Sequence, residues 1–324
     1  MSERLRDTWG LAVACASATM WTMGLTIFQP LTEPAKPWQD VVASNNTYWA
    51  RDLRVMAIVA ALGGIMLVLG SDRLRAILAT SGALVWLAVD VWLDRVDVAG
   101  RTATVVVAVI ACLVIVAGTL LGRVDGRTRR GPLLLMACVG AALAPLAAAL
   151  ESPTDTEAGL TPAAAATAGL LILAALGCAL RAGPAVSRRR ALAAGVVVVA
   201  SGAVVAFMRM LQPGGRFGVV VLFGATLLTA VVVLSRPWPA RSGVSSYAGL
   251  AGLTLLAYPL LMLVTLFVTV SWLPIAKVIT GLAGNPPVNA ADWDAVLAIL
   301  GIAAGLAFGL PISWITRNRL LTEP

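Results

Sequence analysis

The 324-residue chain contains no histidine. This absence excludes bis-histidine haem, histidine-ligated zinc or copper, and acid–base chemistry that depends on imidazole. The four cysteines lie in different apolar segments without CxxC spacing, which is typical of small buried thiols: Cys15, Cys112, Cys138 and Cys178. No nucleotide-binding loop or hydrolase motif is present. We therefore expect no catalytic residue, no cofactor and no metal, and a protein that is not an enzyme.

Charge is also scarce. Only 12% of the residues are charged and 59% are hydrophobic, with a mean hydropathy of +0.90. An ordinary soluble domain is about 25% charged. Because so much apolar surface suits a bilayer rather than a soluble core, the composition predicts an all-α bundle of transmembrane helices in contact with lipid.

Ten long apolar stretches run through the chain, and none has the alternating pattern of a strand. A spanning helix needs roughly 20 apolar residues. The stretches therefore predict about ten spans in a single integral membrane domain covering residues 1–324, with the following approximate limits: 9–29, 53–70, 77–94, 103–122, 132–150, 163–180, 191–211, 218–235, 248–272 and 294–314.

The charged residues between these stretches are distributed unequally between the two predicted sides of the membrane. If both termini are cytoplasmic, the tails and the alternate short loops hold 16 of the 24 basic residues but only 5 of the 16 acidic ones. Basic residues resist translocation, so this asymmetry predicts cytoplasmic N- and C-termini. The net charge of +8 then reflects topology and not nucleic-acid binding. Heavy use of Ala, Val, Leu and Arg with almost no Lys suggests a bacterial protein of the plasma membrane.

Two long loops are predicted on the outer side, at 30–52 and 273–293. Each has a proline followed 19 residues later by a tryptophan, with an asparagine four residues before the tryptophan. These residue types are common in any loop at a bilayer surface, so the match is either coincidence or a sign of two related caps, each with a short interfacial helix. A division into halves 1–155 and 156–324, with five spans each, would make the halves inverted, as in several transporter folds.

Charged residues inside spans are the first place to look for a site, because burying them is costly. Asp90, Arg54 and Arg209 are predicted at similar depth, near the outer ends of their spans. They either form interfacial ion pairs and snorkel, or they surround an outer vestibule in which Asp90 pairs with Arg54 or Arg209 and contacts a substrate.

The ninth span is the best candidate for a kinked helix. Tyr258 and Pro259 lie near its middle, and Thr265 is one of several hydroxyl-bearing residues along it. Proline frees the carbonyl four residues earlier and kinks a helix. The kink is either structural or part of a substrate site.

The tenth span carries Gly301, Gly305 and Gly309 at four-residue spacing. Glycines at this spacing form one smooth helix face and allow another helix to approach closely. The motif predicts tight packing inside the bundle or against a partner membrane subunit or a second copy of the chain.

Three functions are compatible with these observations. A transporter or permease of a small or amphipathic solute would use the Pro259 region and the outer charges. A non-catalytic membrane subunit or scaffold would bind partners through the glycine face and the outer loops. An enzyme acting on lipid is the least favoured, because no set of catalytic residues is visible. A transporter predicts a polar cavity reaching mid-membrane near Pro259, and a scaffold predicts solid packing there.

Overall fold

The structure is a computed structural model that describes residues 3–32, 49–70, 72–122, 130–152, 157–236, 244–273, 275–285 and 295–322. These residues are overwhelmingly helical, and no strand occurs among them. The all-α class is therefore confirmed.

We number the helices in chain order. Helix α1 comprises Glu3–Met23, a π-helical segment Gly24–Phe28 and a last turn Gln29–Thr32. The others are α2 (Trp49–Leu69), α3 (Arg73–Arg95), α4 (Arg101–Leu121), α5 (Arg130–Ala148), α6 (Leu160–Ala182), α7 (Arg188–Met210), α8 (Phe217–Ser235), α9 (Val244–Ser271), α10 (Ile275–Ala283) and α11 (Val296–Thr322).

Ten of these helices, all except α10, are long and apolar enough to cross a membrane. The chain is thus a multi-pass membrane protein, as its composition predicts. Ten helices that each cross the membrane once place the start of α1 and the end of α11 at the same end of the bundle. We call this end the tail end and the opposite end the far end.

The bundle has inner and outer helices. Within the apolar window of α5, 83% of the residues are buried, against 6% in α3. Helices α2 and α6 resemble α5, whereas α4, α7 and α9 resemble α3 and expose most of their surface. Ala and Gly dominate α5, and small residues allow the close helix packing that an inner position requires.

Residues from both halves of the chain pack together in this core. Helix α5 packs against α6 and α11, and α2 packs against α6. Residues 1–155 and 156–324 therefore share one hydrophobic core. The proposed inverted relation between the halves remains a prediction.

The two long loops differ from the predicted ranges because helices extend into them. Helix α1 continues to Thr32, and α2 begins at Trp49, four residues earlier than expected. Trp49 is buried against Phe28, with ring centroids 5.7 Å apart, so its ring packs inside the bundle. The second loop contains the short helix α10. The predicted cap in the first loop falls on residues 33–48, outside the described part of the chain.

Candidate functional site

Helix α3 is attached to the core in an unusual way. Among its described side chains, only Asp90 and Asp94 are fully buried, and both are ionisable. Helix α2 faces them with Arg51 and Arg54, which are also fully buried. We call these four residues the charge quartet.

The quartet is closely paired. Arg54 lies between the two carboxylates: its Nε is 3.0 Å from Asp90 Oδ1, without hydrogen-bond alignment, and its Nη2 donates to Asp94 Oδ2 at 2.9 Å. Arg51 donates from Nε to the same Asp94 oxygen at 2.7 Å. Each side chain is at most 3% exposed. The quartet is formally neutral, which limits the cost of holding four charges out of water.

Neutral polar groups complete the network. Trp21 donates its indole N–H to Asp90 Oδ1 at 2.7 Å, and Arg54 Nη1 donates to Gln29 Oε1 at 3.3 Å. Arg51 Nη2 donates to the side-chain oxygen of Asn285, which follows α10. The quartet therefore connects α1, α2, α3 and the segment after α10.

The neighbouring residue Asp52 has a structural role. Its Oδ1 accepts from the backbone N–H of Ala298, in the first turn of α11, at 2.6 Å. The first turn of a helix has unpaired N–H donors, so a carboxylate there stabilises the helix start.

The backbone of α1 adapts to the site. The π-helical segment begins at Gly24, where a Cβ atom would lie 2.7 Å from Cγ of Arg54. Glycine is therefore needed for the aliphatic part of Arg54 to lie against α1. π-helical turns occur frequently at functional sites, and this one places Gln29 beside the quartet.

The quartet lies near the far end of the bundle. Asp90 precedes the end of α3 by five residues, and Arg54 follows the start of α2 by five. At a rise of about 1.5 Å per residue, both lie about 7 Å inside their helices. Asp90 and Arg54 therefore lie near the far ends of their helices, and an interfacial depth for them remains a prediction.

A cavity of about 160 Å³ adjoins the quartet on its far side. Asp94 contributes to its wall, together with Gln29 of α1 and Asp97 of the α3–α4 connection. Asp97 has a φ of +52°, an uncommon conformation for a residue other than glycine. Asp94 is thus the quartet residue that reaches this space, which is large enough for a small solute or about five water molecules.

An aromatic pair also borders the quartet. The rings of Trp21 and Trp86 meet edge to face, with centroids 5.1 Å apart. They belong to a packed apolar cluster that includes Leu25, Ala57 and Ile58. Leu25 also lines the cavity, so the cavity and the apolar cluster adjoin each other beside the quartet.

Arg209 is placed elsewhere, although the sequence suggested that it could pair with Asp90. Its Nη1 donates to the carbonyls of Ala148 and Leu150, at the end of α5, and its Nη2 donates to the Thr161 hydroxyl at 3.0 Å. The unpaired carbonyls at a helix C-terminus attract a guanidinium. Of the two predicted partners of Asp90, the structure brings Arg54 to it.

Beside Pro259 one side chain packs into the bundle, whereas most neighbouring residues of α9 are exposed. Tyr258 is fully buried in the groove that Gly224 leaves on α8, and its hydroxyl donates to the Ala142 carbonyl at 3.0 Å. Thr265 donates to the carbonyl of Leu261 in its own helix at 2.7 Å. These three predicted site residues, Tyr258, Pro259 and Thr265, lie on the outer helix α9, whereas Asp90 and Arg54 lie in the quartet.

The glycine face of α11 lies against α5. A Cβ atom at Gly301 would overlap Leu143, one at Gly305 would overlap the backbone at Val139, and one at Gly309 would lie 2.9 Å from Leu135. Helix α5 of the same chain therefore occupies this face and leaves no room there for a partner helix.

Sequence reasoning identified Asp90 and Arg54 but did not combine them with Arg51, Trp21 or Gln29. A usable signal was present. Arg51 and Arg54 are three residues apart, and Asp90 and Asp94 are four apart, so each pair lies on one helix face. Two such pairs of opposite charge on consecutive spans predict a buried ion-pair network between the helices.

No protein-family model, curated protein or solved structure matches this chain. The role of the site is therefore argued from its chemistry. Within the described residues there is no group of three or more His, Cys, Asp or Glu side chains that could hold a metal ion. The ionisable groups of the site are two guanidiniums and two carboxylates, which pair with one another.

Proposed function

We propose that the chain is a carrier of a small or amphipathic solute, and that the charge quartet with its cavity is the solute site. The observation that carries the proposal is the fully buried quartet next to the polar cavity. Ionisable groups buried in a membrane protein commonly mark a substrate path. A charged group of a solute entering the cavity would compete for Asp94 and loosen its bonds to Arg51 and Arg54.

The packed aromatic pair of Trp21 and Trp86 beside the quartet supports the same proposal. A carrier exposes its site to one side of the membrane at a time, so a closed layer on the other side is required. Trp21 joins the two parts, because its ring packs on Trp86 and its N–H binds Asp90. A change in the bonding of Asp90 would thus act directly on the packing of Trp21 against Trp86.

We further propose that the protein lies in a bacterial plasma membrane with both tails in the cytoplasm. The basic residues of the tail end support this orientation. The quartet and its cavity would then face the outside. The proposal assigns no catalytic step to the chain.

The test is transport by purified protein in proteoliposomes loaded with a filtered extract of small metabolites. We expect at least one solute to leave these vesicles faster than it leaves protein-free ones. Asp90→Asn should slow this movement by about tenfold, since it removes the charge that pairs with Arg54. Because Arg54 keeps its bond to Asp94, the variant should remain folded.

Asp72→Asn is the matched control. Asp72 caps the opposite end of the same helix by accepting from the Arg75 N–H at 2.8 Å, and asparagine can form the same cap. Transport should be unchanged in this variant. Absence of any protein-dependent movement, or equal rates for Asp90→Asn and wild type, would contradict the proposal.

A second candidate is a non-catalytic membrane subunit or scaffold. The observation in its favour is the packing of Tyr258 beside Pro259, since a carrier that used this region would need a polar cavity there. A scaffold could not use the glycine face of α11, which α5 covers. Stoichiometric recovery of another membrane protein with the tagged chain, together with no transport, would favour this candidate.

A further inference from the structure

The exposed side of α7 carries a shallow, open apolar groove that the proposed solute site does not involve. Its volume is about 540 Å³, and one helix supplies all its lining residues: Ala191, Leu192, Gly195, Val196, Val199 and Ala200. Leu192, Val196 and Val199 are each more than 60% exposed. In a membrane this surface faces lipid.

Gly195 forms the floor of the groove. A Cβ atom at this position would meet nothing within 4 Å, so no part of the described protein fills the space. The groove spans the ten residues from Ala191 to Ala200, nine helical steps, and is therefore about 14 Å long. This is close to the hydrocarbon thickness of one leaflet, about half of 30 Å.

Positive charge lies at the tail end of the groove. Arg188 precedes the lining residues Ala191, Leu192 and Gly195 by three, four and seven positions, so it is on the same helix face. Both Arg188 and Arg189 are exposed. They also stand at the N-terminus of α7, where the backbone N–H groups favour an anion.

The third arginine of this run is used differently. Arg190 is buried and donates to the carbonyls of Leu180, Pro184, Ala185 and Leu234. Arg130, at the start of α5, lies close enough to repel the charge of Arg190. Arg188 and Arg189 are therefore the outward-facing part of a larger positive region.

We infer that this groove binds an anionic phospholipid, with one acyl chain along Gly195 and the phosphate against Arg188 and Arg189. The apolar floor suits an acyl chain, and two guanidiniums suit a phosphate. A second copy of this chain suits the groove less well. Two-fold symmetry about the membrane normal would bring Arg188 and Arg189 of both copies together, and like charges repel.

The test titrates three probes onto the full chain in neutral detergent: dioctanoyl phosphatidylglycerol, dioctanoyl phosphatidylcholine and glycerol 3-phosphate. Native mass spectrometry counts bound lipid, and the melting temperature gives an independent signal. We expect phosphatidylglycerol to bind at least about tenfold more tightly than either other probe, because only it combines the negative charge with the chains.

Two variants locate the site. Gly195→Leu fills the groove floor, and since nothing lies near this position the variant should fold normally. Arg188→Gln combined with Arg189→Gln removes the two charges. Each change should weaken phosphatidylglycerol binding by about tenfold or more, given the contribution of each basic residue near an anionic surface.

Matched controls exist in the chain. Gly202 lies on α7 outside the groove, and a Cβ atom added to it would also meet nothing within 4 Å, so Gly202→Leu should bind phosphatidylglycerol like the wild type. Arg101 is an exposed arginine at the N-terminus of α4, so Arg101→Gln should also leave phosphatidylglycerol binding unchanged.

Four results would overturn the inference. Two of them are binding of phosphatidylcholine, or of glycerol 3-phosphate, as tight as that of phosphatidylglycerol. The third is undiminished phosphatidylglycerol binding in Gly195→Leu and in the double arginine variant. The fourth is a dimer in the mass spectrum that Gly195→Leu dissociates. The last would assign the groove to a second copy. None of these measurements depends on transport. The lipid-binding inference can therefore fail while the proposed transport function holds, and the reverse is also true.

Discussion

The arginines of this protein act in two different ways at the scale of single residues. Arg181, Arg190, Arg209 and Arg216 donate mainly to backbone carbonyls at helix ends. Arg51 and Arg54 instead face carboxylates on another helix. Carbonyls at helix ends lack partners in any bundle, so the first use is structural. Only the second use places opposite charges in one buried cluster.

Gly24 provides a test of the site at this scale. Gly24→Ala should lower the free energy of unfolding by about 1 to 3 kcal/mol, because the new Cβ forces the buried Arg54 side chain to move. It should also slow solute movement in proteoliposomes, since Arg54 holds both carboxylates. Stability is measured by denaturant unfolding in detergent micelles.

Gly82→Ala is the control for this prediction. Gly82 lies inside α3, where a Cβ would meet nothing within 4 Å. Alanine should stabilise that helix by about 0.5 to 1 kcal/mol and leave transport intact. Equal stability losses in the two variants would mean that the contact between Gly24 and Arg54 is not what matters.

The sequence could locate single charged residues but not their partners. Asp90 and Arg54 stand out because they interrupt apolar stretches, and Arg209 stands out for the same reason. Which two of the three meet depends on how α2, α3 and α7 are placed around the core. That placement follows from packing of many small residues, and apolar periodicity alone does not determine it.

At the scale of helices, the glycine face that the sequence predicts on α11 makes a close contact with α5. A Cβ at Gly305 would lie 2.9 Å from the Cys138 carbonyl oxygen and would overlap Val139 Cα. These are backbone atoms of an inner helix, so they cannot give way as a flexible side chain can. The two helices would have to separate.

Gly305→Leu should therefore destabilise the protein by about 3 kcal/mol or more. Gly118→Leu on the outer helix α4 is the comparison, because a Cβ there meets nothing within 4 Å. We expect that variant to stay within about 1 kcal/mol of wild type. Size-exclusion profiles and thermal unfolding of both proteins give the answer, and normal behaviour of Gly305→Leu would refute the packing argument.

The existence of the ten spans was predictable from hydropathy, whereas two of their ends were not. A search for apolar runs ends α1 near Gln29 and begins α2 near Leu53, because Arg51 and Asp52 look like loop residues. In the structure these residues are helical and buried, since each has a partner. The π-helical segment of α1 has no recognisable signal beyond Gly24.

At the scale of the whole molecule, the least buried span, α3, is attached to the core through buried polar contacts. In lipid, apolar surfaces gain little by meeting each other, so helix association depends on close packing and polar contacts. Inner helices such as α5 and α11 use small residues. The outer helix α3 is joined to the core by the quartet, to which it supplies the two carboxylates.

The side of the membrane to which the proposed site opens depends on which end of the bundle faces the cytoplasm, and labelling of introduced cysteines can establish this orientation. Ala185 lies in the exposed α6–α7 turn at the tail end, and Gln212 in the exposed α7–α8 turn at the far end. The native cysteines lie within helices, and Cys138 and Cys178 are buried. The basic residues predict that a membrane-impermeant maleimide labels Gln212→Cys in intact cells and labels Ala185→Cys only after permeabilisation. The reverse pattern would place the quartet and its cavity on the cytoplasmic side, and the solute would then enter the site from within the cell.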